Sequence, residues 1–237
     1  MYLEKSLEDL IKENKSNHVV TFNAQYAYEF MFNDYAKNLP EKTVFLLDSR
    51  PIYYFHKLLF NKISINQGSG LKDRILLLHN FFDYTILIGG EQEKKAILAD
   101  KDNWKHYSNY IDLNSVDESI EKFNLRKFIG KKIMVLIFLG VPKQDIIAKK
   151  IHEKYGDSIN IQTISLGGSL DMWNGKYKRS PYFFQIFCLE GLWRFINEPS
   201  VLRVKRIAIS MIGLLVYPYI YFKISNNVNC RHSLNKK

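Results

Sequence analysis

KIMVLIFLGVPKQDIIAKKIHEKYGDSINIQTISLGG, residues 132–168, decides the fold. An apolar run, 132–139, stops at Gly140 and Pro142. A helical stretch follows over 142–155. A second apolar run, INIQTISL (159–166), closes on Gly167-Gly168. Near-continuous apolar strands on either side of a helix are what a parallel pair needs when both of its faces are covered.

The same alternation extends outward. HVVTF (18–22), TVFLL (43–47) and YTILI (84–88) read as further buried strands. Segments 24–37, 51–61, 70–82, 91–100 and 114–129 read as helices between them. Segment 102–113 reads ambiguously, as a short strand between loops. Beyond 181 the pattern turns helical, over 181–197 and then 199–222. The expected fold is α/β: a Rossmann-like parallel sheet with helices on both faces and a helical, basic C-terminal appendage. The composition shift near 195–200 divides the chain into a main domain, 1–198, and an appendage, 199–237.

Ligands of such sheets bind outside the carboxyl ends of the strands. Small or polar residues collect there: Thr21 and Asn23, Asp48, Gly89-Gly90, Gly140 with Lys143 and Gln144, and Gly167-Gly168. Each has an ordinary explanation as well. Asn23 can cap a helix. Asp48 can cap the helix that begins near Pro51. The glycine pairs can be turns that need positive φ. Backbone amides at a glycine-rich helix start can also receive phosphate.

The charge is uneven. Residues 176–237 hold 11 Lys/Arg against 2 Asp/Glu, whereas the other 175 residues hold 23 against 22. A basic zone this concentrated implies an anionic partner: nucleic acid, phosphates or an anionic lipid surface. Within it lies IAISMIGLLVYPYIYF, 207–222, uncharged, interrupted by Pro218 and flanked by Arg203, Lys205, Arg206 and Lys223. It is short for a bilayer span of ~20 residues. It reads as a membrane-surface segment, with a buried core helix as the alternative. Two cysteines form no disulfide framework. The start, MYLEKSLEDLIKENK, lacks the apolar stretch of a secretory signal. No His/Cys cluster has metal-ligand spacing. Asp100-Lys101-Asp102 reads as part of a solvated charge run. Gln67-Gly68-Ser69-Gly70 is a partial dinucleotide fingerprint, with Asp73 where a third glycine would stand.

GGSLDMWNGKYKRSPYFFQIFCLEGLWRFINEPS, 167–200, together with the Thr21-Phe22-Asn23 and Gly140-Val141-Pro142-Lys143-Gln144-Asp145 stretches, resembles the signature of the WecG/TagA/CpsF family of bacterial glycosyltransferases. Matching motifs run in matching order from Val19 to Arg206. Departures are Ser49 for glycine, Gly70 for an acid, Val141 and Asp145 in the PKQ motif, Gly191 for tryptophan, and Val201 and Val204 for arginines, with Arg203 and Arg206 one helical step away.

The resemblance implies inverting transfer of an N-acetylhexosamine-type sugar from a UDP donor to an undecaprenyl-diphosphate-linked sugar. The product belongs to cell-surface polysaccharide synthesis, made at the cytoplasmic face of the membrane. It implies Asp48 as general base, with Thr21, Asn23 and Gln144 orienting sugar or acceptor. Gly89, Gly90, Gly140, Lys143, Gly167, Gly168, Asp171, Arg179, Arg194, Arg203 and Arg206 would bind donor and acceptor. No metal, other cofactor or nucleic-acid partner is expected; an anionic membrane surface is, and homo-oligomerisation stays open. The alternatives are a non-catalytic relative that binds lipid-linked sugar or a partner enzyme, and a NAD(P)-dependent oxidoreductase using the Gly68–Gly70 turn.

Overall fold

The computed structural model describes residues 18–60, 71–90, 103–107, 111, 115–173, 175, 180–187 and 189–234, as backbone alone at 59–60 and 223–234. The helix expected over 91–100, the Gly68–Gly70 turn, Asp100-Lys101-Asp102, Arg179 and the N-terminal stretch lie outside them.

Among the described residues, six strands form one sheet: β1 (His18–Phe22), β2 (Thr43–Leu47), β3 (Tyr84–Ile88), β4 (Trp104–Tyr107), β5 (Lys132–Ile137) and β6 (Asn160–Ser165). Their order is β2-β1-β6-β5-β3-β4, and every pair is parallel. The ambiguous segment thus supplies the edge strand β4. The helices are α1 (Ala24–Phe32), α2 (Arg50–Phe60), α3 (Lys72–Leu78), α4 (Val116–Lys122), α5 (Lys143–Tyr155), α6 (Ser169–Trp173), α7 (Tyr182–Ile186), α8 (Glu190–Asn197) and α9 (Val201–Leu234).

Two helices are shorter than the apolar periodicity predicts. Asp34 (φ 47°) and Asn124 (φ 48°) adopt the left-handed conformation. Each converts the end of its segment into a 3-10 turn, Tyr35–Asn38 and Leu125–Phe128. After glycine, Asn and Asp are the residues that enter this region at least cost. The single helix expected over 181–197 is two, with Leu189 N–H folding back to Phe184 O at 2.8 Å between them. Pro218 does not interrupt α9, which continues through it to Leu234. Tyr217 and Ile220, both fully buried, hold the helix on either side of the proline, and their packing outweighs the missing backbone bond.

The sheet separates the core into layers. On one face Val19, Leu46, Leu136, Phe138, Ile164 and Leu166 pack against α3 and α6 as a continuous cluster. The other face carries two clusters. One joins β1 and β2 to α1, α2 and Tyr217 of α9. The second joins β3 and β5 to α4 and α5. Between them runs a polar seam containing His18, Thr163, Ser165 and Asp145, all fully buried.

The segment 207–222 belongs in part to this core. A Cβ on Gly213 would stand 1.8 Å from Ala24 O, so α9 crosses the first turn of α1 at close range. Tyr217 sits with Phe22 and Tyr26, and its hydroxyl meets His56 Nδ1 at 2.9 Å. Burial holds the Tyr217 phenol above its ordinary pKa, with Tyr221 adding to the shift. The opposite stripe of α9, including Met211, Leu215, Tyr219 and Phe222, remains exposed. No described helix is long and apolar enough to cross a membrane.

Candidate active site at the carboxyl edge of the sheet

The register places the strand ends side by side. Val20 pairs with Phe45 and Ser165, Ser165 with Ile137, and Ile137 with Ile88. Two and three residues beyond that row come Gly90, Gly140, Gly167, Gly168, Asn23 and Asp48. Neighbouring strands lie ~4.8 Å apart, so these residues share one edge across β2, β1, β6, β5 and β3.

Asp48 extends the ladder, its N–H donating to Phe22 O at 2.8 Å. Alternation along β2 therefore turns its side chain toward the face of Leu46, the face that bears α6. Thr21 lies on the same face, diagonally ~8 Å away by strand spacing and rise. The first bond of α2 runs from Tyr53 N to Ser49 O at 2.9 Å. Ser49, not Asp48, thus occupies the cap position. Asp48 is half-buried.

Asn23 does cap its helix. Its Oδ1 accepts from Gln25 N at 2.9 Å and from Tyr26 N at 3.4 Å. Thr21 is buried, and its hydroxyl donates to Ser165 O at 3.1 Å, tying β1 to β6. Gln144 is also buried, at the start of α5 on the opposite face from Asp48. It accepts from Gly167 N at 3.1 Å and donates through Nε2 to the hydroxyl of Tyr26. Lys143, half-buried, opens α5 beside it, after a cis Val141–Pro142 bond. The structure thus brings Gln144 to the Gly167 turn, and sets Asp48 and Thr21 with α6, which carries the half-buried Asp171.

Gly89 and Gly90 form a left-handed turn in which any side chain would be strained. Their φ values are +87° and +79°. A Cβ would meet Leu139 Cδ2 at 2.7 Å or Leu170 Cδ2 at 2.4 Å. The Gly89 amide donates to Tyr107 O at 2.9 Å; it completes the sheet.

The helices after 180 touch the elements of this edge at Arg50 and at Arg194. Arg50, two residues past Asp48, donates to Gln185 of α7 at 3.1 Å. Gln185 in turn donates to Ser180 O at 2.6 Å. Arg194 of α8 reaches Met172 Sδ of α6 at 3.9 Å. Arg203 pairs with Glu198, and Arg206 is exposed. Among the candidate arginines, Arg194 thus contacts α6, the element that carries Asp171. Tyr182, Phe183, Phe187, Leu192, Val201 and Leu202 are exposed around them.

Sequence reading treats Asp145 only as a conservative departure, yet it is fully buried with four partners. Oδ1 meets His18 Nε2 at 3.2 Å and Ser165 Oγ at 3.0 Å. Oδ2 accepts from the hydroxyls of Tyr26 at 2.7 Å and Tyr35 at 2.5 Å. Burial, and then the charge of Asp145, hold both phenols far above their ordinary pKa. The one available signal is the adjacency of Asp145 to Gln144. Arg50 was missed as well, since an arginine opening a surface helix carries no mark of its own.

The chain is similar in sequence to curated proteins. One of them, the N-acetylglucosaminyldiphosphoundecaprenol N-acetyl-beta-D-mannosaminyltransferase of Bacillus spizizenii, is 25% identical over 215 residues, covering 80% of this chain and 75% of that protein. The sequence profile described as "Glycosyl transferase WecG/TagA/CpsF family" matches residues 2–225. With nearly the whole chain matched and a parallel sheet that gathers the motif residues at one edge, the protein belongs to the WecG/TagA/CpsF family of glycosyl transferases.

Proposed function

We propose that this glycosyl transferase moves an N-acetylhexosamine-type sugar, N-acetylmannosamine or a close relative, from a UDP donor to an undecaprenyl-diphosphate-linked sugar. The observation that carries the reading is the shared edge. Asp48, Asn23, Gly140 and the Gly167-Gly168 pair stand within three residues of one register row, in a chain whose family transfers sugars. The acceptor hydroxyl attacks the anomeric carbon from the side opposite UDP. A C–O bond forms, the bond to the β-phosphate oxygen breaks, and the hydroxyl proton passes to the Asp48 carboxylate. Configuration inverts.

The leaving diphosphate gains charge as this bond breaks. Arg194 beside α6, with Arg179, Arg203 and Arg206, offsets that charge, and the reaction proceeds without a metal. The exposed apolar side chains of α7–α9, interleaved with Arg194, Lys205 and Arg206, suit a protein that meets its lipid-linked acceptor at the cytoplasmic membrane surface. On this reading residues 1–198 hold the catalytic sheet, and 199–237 add the helix whose exposed stripe faces the membrane.

The test is turnover. Purified protein with detergent-solubilised lipid-diphosphate-N-acetylglucosamine and UDP-N-acetylmannosamine should release UDP. Asp48→Asn should lower that release at least ~10²-fold while UDP still binds. No release with any of several UDP-sugars refutes the enzyme and leaves a lipid-sugar-binding protein.

A further inference from the structure

We infer that Tyr26 is a positioning residue for the transfer reaction: its hydroxyl, held by Asp145, sets the orientation of the Gln144 amide and through it the backbone of the Gly167 turn. This role rests on the reading of the sheet edge as the sugar-transfer site. The argument is one of proton counting. A carboxylate only accepts, an amide nitrogen only donates, and a phenol has a single proton to give. The Tyr26 proton goes to Asp145 Oδ2 at 2.7 Å. Its oxygen therefore faces Gln144 with lone pairs alone, and Gln144 must present its NH2 group there. That choice leaves Oε1 on the other side, where it accepts from Gly167 N at 3.1 Å.

A flipped amide would aim NH2 at the Gly167 N–H, donor against donor. The three side chains are buried, Tyr26 and Asp145 fully and Gln144 nearly so, so water cannot take the place of a lost partner among them, whereas Gly167 at the far end is half-buried. The chain ends at the first residue of the glycine pair that follows β6, with Gly167 at φ +57°. Placement of that turn is what a bound donor would sense.

Tyr35 supplies a matched control. Its hydroxyl donates to the same Asp145 Oδ2, at 2.5 Å, and is not among the partners of Gln144. Tyr26→Phe and Tyr35→Phe each remove one bond to the carboxylate, but only the first frees the Gln144 amide. Two measurements are made on the full chain. Hydrogen exchange is read at the Gly167 amide by NMR, and kcat and KM are read from UDP release.

In Tyr26→Phe, Gly167 exchange should rise about tenfold. Its kcat should fall about ten- to a hundredfold, with KM for the UDP-sugar within about twofold. Tyr35→Phe should change neither. In a Gln144→Ala background, Tyr26→Phe should add nothing further, because its effect passes through the amide. Equal effects of the two tyrosine variants, or additive losses in the Gln144→Ala background, overturn the inference. If Tyr26→Phe fails to fold, Gln144→Met serves in its place. It is close in shape but cuts the link from Tyr26 to Gly167, and wild-type protection of Gly167 with wild-type kcat in it overturns the inference. Absence of turnover in the unmodified protein sinks the proposed function, while the exchange comparison still decides the role of Tyr26.

Discussion

Gly213→Ala should destabilise the protein, although alanine is the better helix former. The structure fixes the size of the effect. An ideal Cβ at 213 lies 1.8 Å from Ala24 O, 2.7 Å from Ala24 C and 3.3 Å from Tyr28 N. These are backbone atoms of α1, so no rotamer change relieves the clash. Restoring an ordinary carbon–oxygen contact requires α9 and α1 to separate by roughly 1.5 Å, and a gap of this size forfeits a large part of the dispersion energy across the interface. Overpacking of this kind costs typically 1–3 kcal/mol, here about 3 because the obstacle is rigid. The gain in helix propensity returns about 1. The net loss is about 2 kcal/mol, or about 4–8 °C in Tm for a chain of this size.

Gly191→Ala is the control. Its Cβ meets only Ile207 Cγ1 at 3.5 Å, an ordinary contact, so propensity alone acts and the variant should be as stable as the parent or about 1 kcal/mol more so. Urea unfolding followed by far-UV circular dichroism measures both. If Gly213→Ala equals or exceeds the parent in stability, α9 does not lie across α1 as described.

Two further outcomes are expected. The raised pKa of the Tyr217 phenol means that its protonated form is favoured in the folded state. Its stabilisation is therefore complete below the unfolded-state value of ~10 and declines as pH rises from there, by about 1.4 kcal/mol per pH unit for each such tyrosine. Unfolding free energies between pH 9 and 11 should fall less steeply in Tyr217→Phe, and parallel slopes would count against the burial described. Anionic vesicles should sediment the protein in a salt-dependent manner. Phe187→Asp or the pair Lys205→Glu/Arg206→Glu should weaken this binding about tenfold, whereas binding unchanged in both would remove α7–α9 from the lipid contact.

The strands were legible because burial on both faces leaves a local mark: TVFLL, YTILI and KIMVLIFL are near-continuous apolar runs with no polar alternation. Their ends were legible because glycine and polar residues must stop such runs. The order of the strands was not. The insertion of β6 between β1 and β5 depends on pairing between segments more than a hundred residues apart, which no window of sequence contains. The helix breaks at Asp34 and Asn124 were missed because apolar spacing continues across a single left-handed residue.

The candidate site shows the same division. Asn23 was read as a cap from its neighbours alone, and it is one. The partners of Thr21 and Gln144 were invisible, since Ser165 O and the Tyr26 hydroxyl reach them only across the sheet. The seam of His18, Tyr26, Tyr35 and Asp145 has no periodicity at all. Its members belong together only because four separate elements bring them there. Of the two alternatives for 207–222, the buried core helix holds for one stripe of α9, while the other stripe is exposed.

The place of β1 between β2 and β6 has a consequence for how the molecule is made. The first strand of the sheet waits for the sixth: His18 meets Thr163 at 2.7 Å across 145 residues of chain, and α1 is not roofed until the helix that begins at Val201 arrives. Contacts so remote in sequence close slowly, because the chain must surrender the freedom of a long loop before they form. During synthesis the early β–α–β unit therefore emerges with its outer surface uncovered, and the catalytic edge comes into being only once β6 has threaded in beside β1.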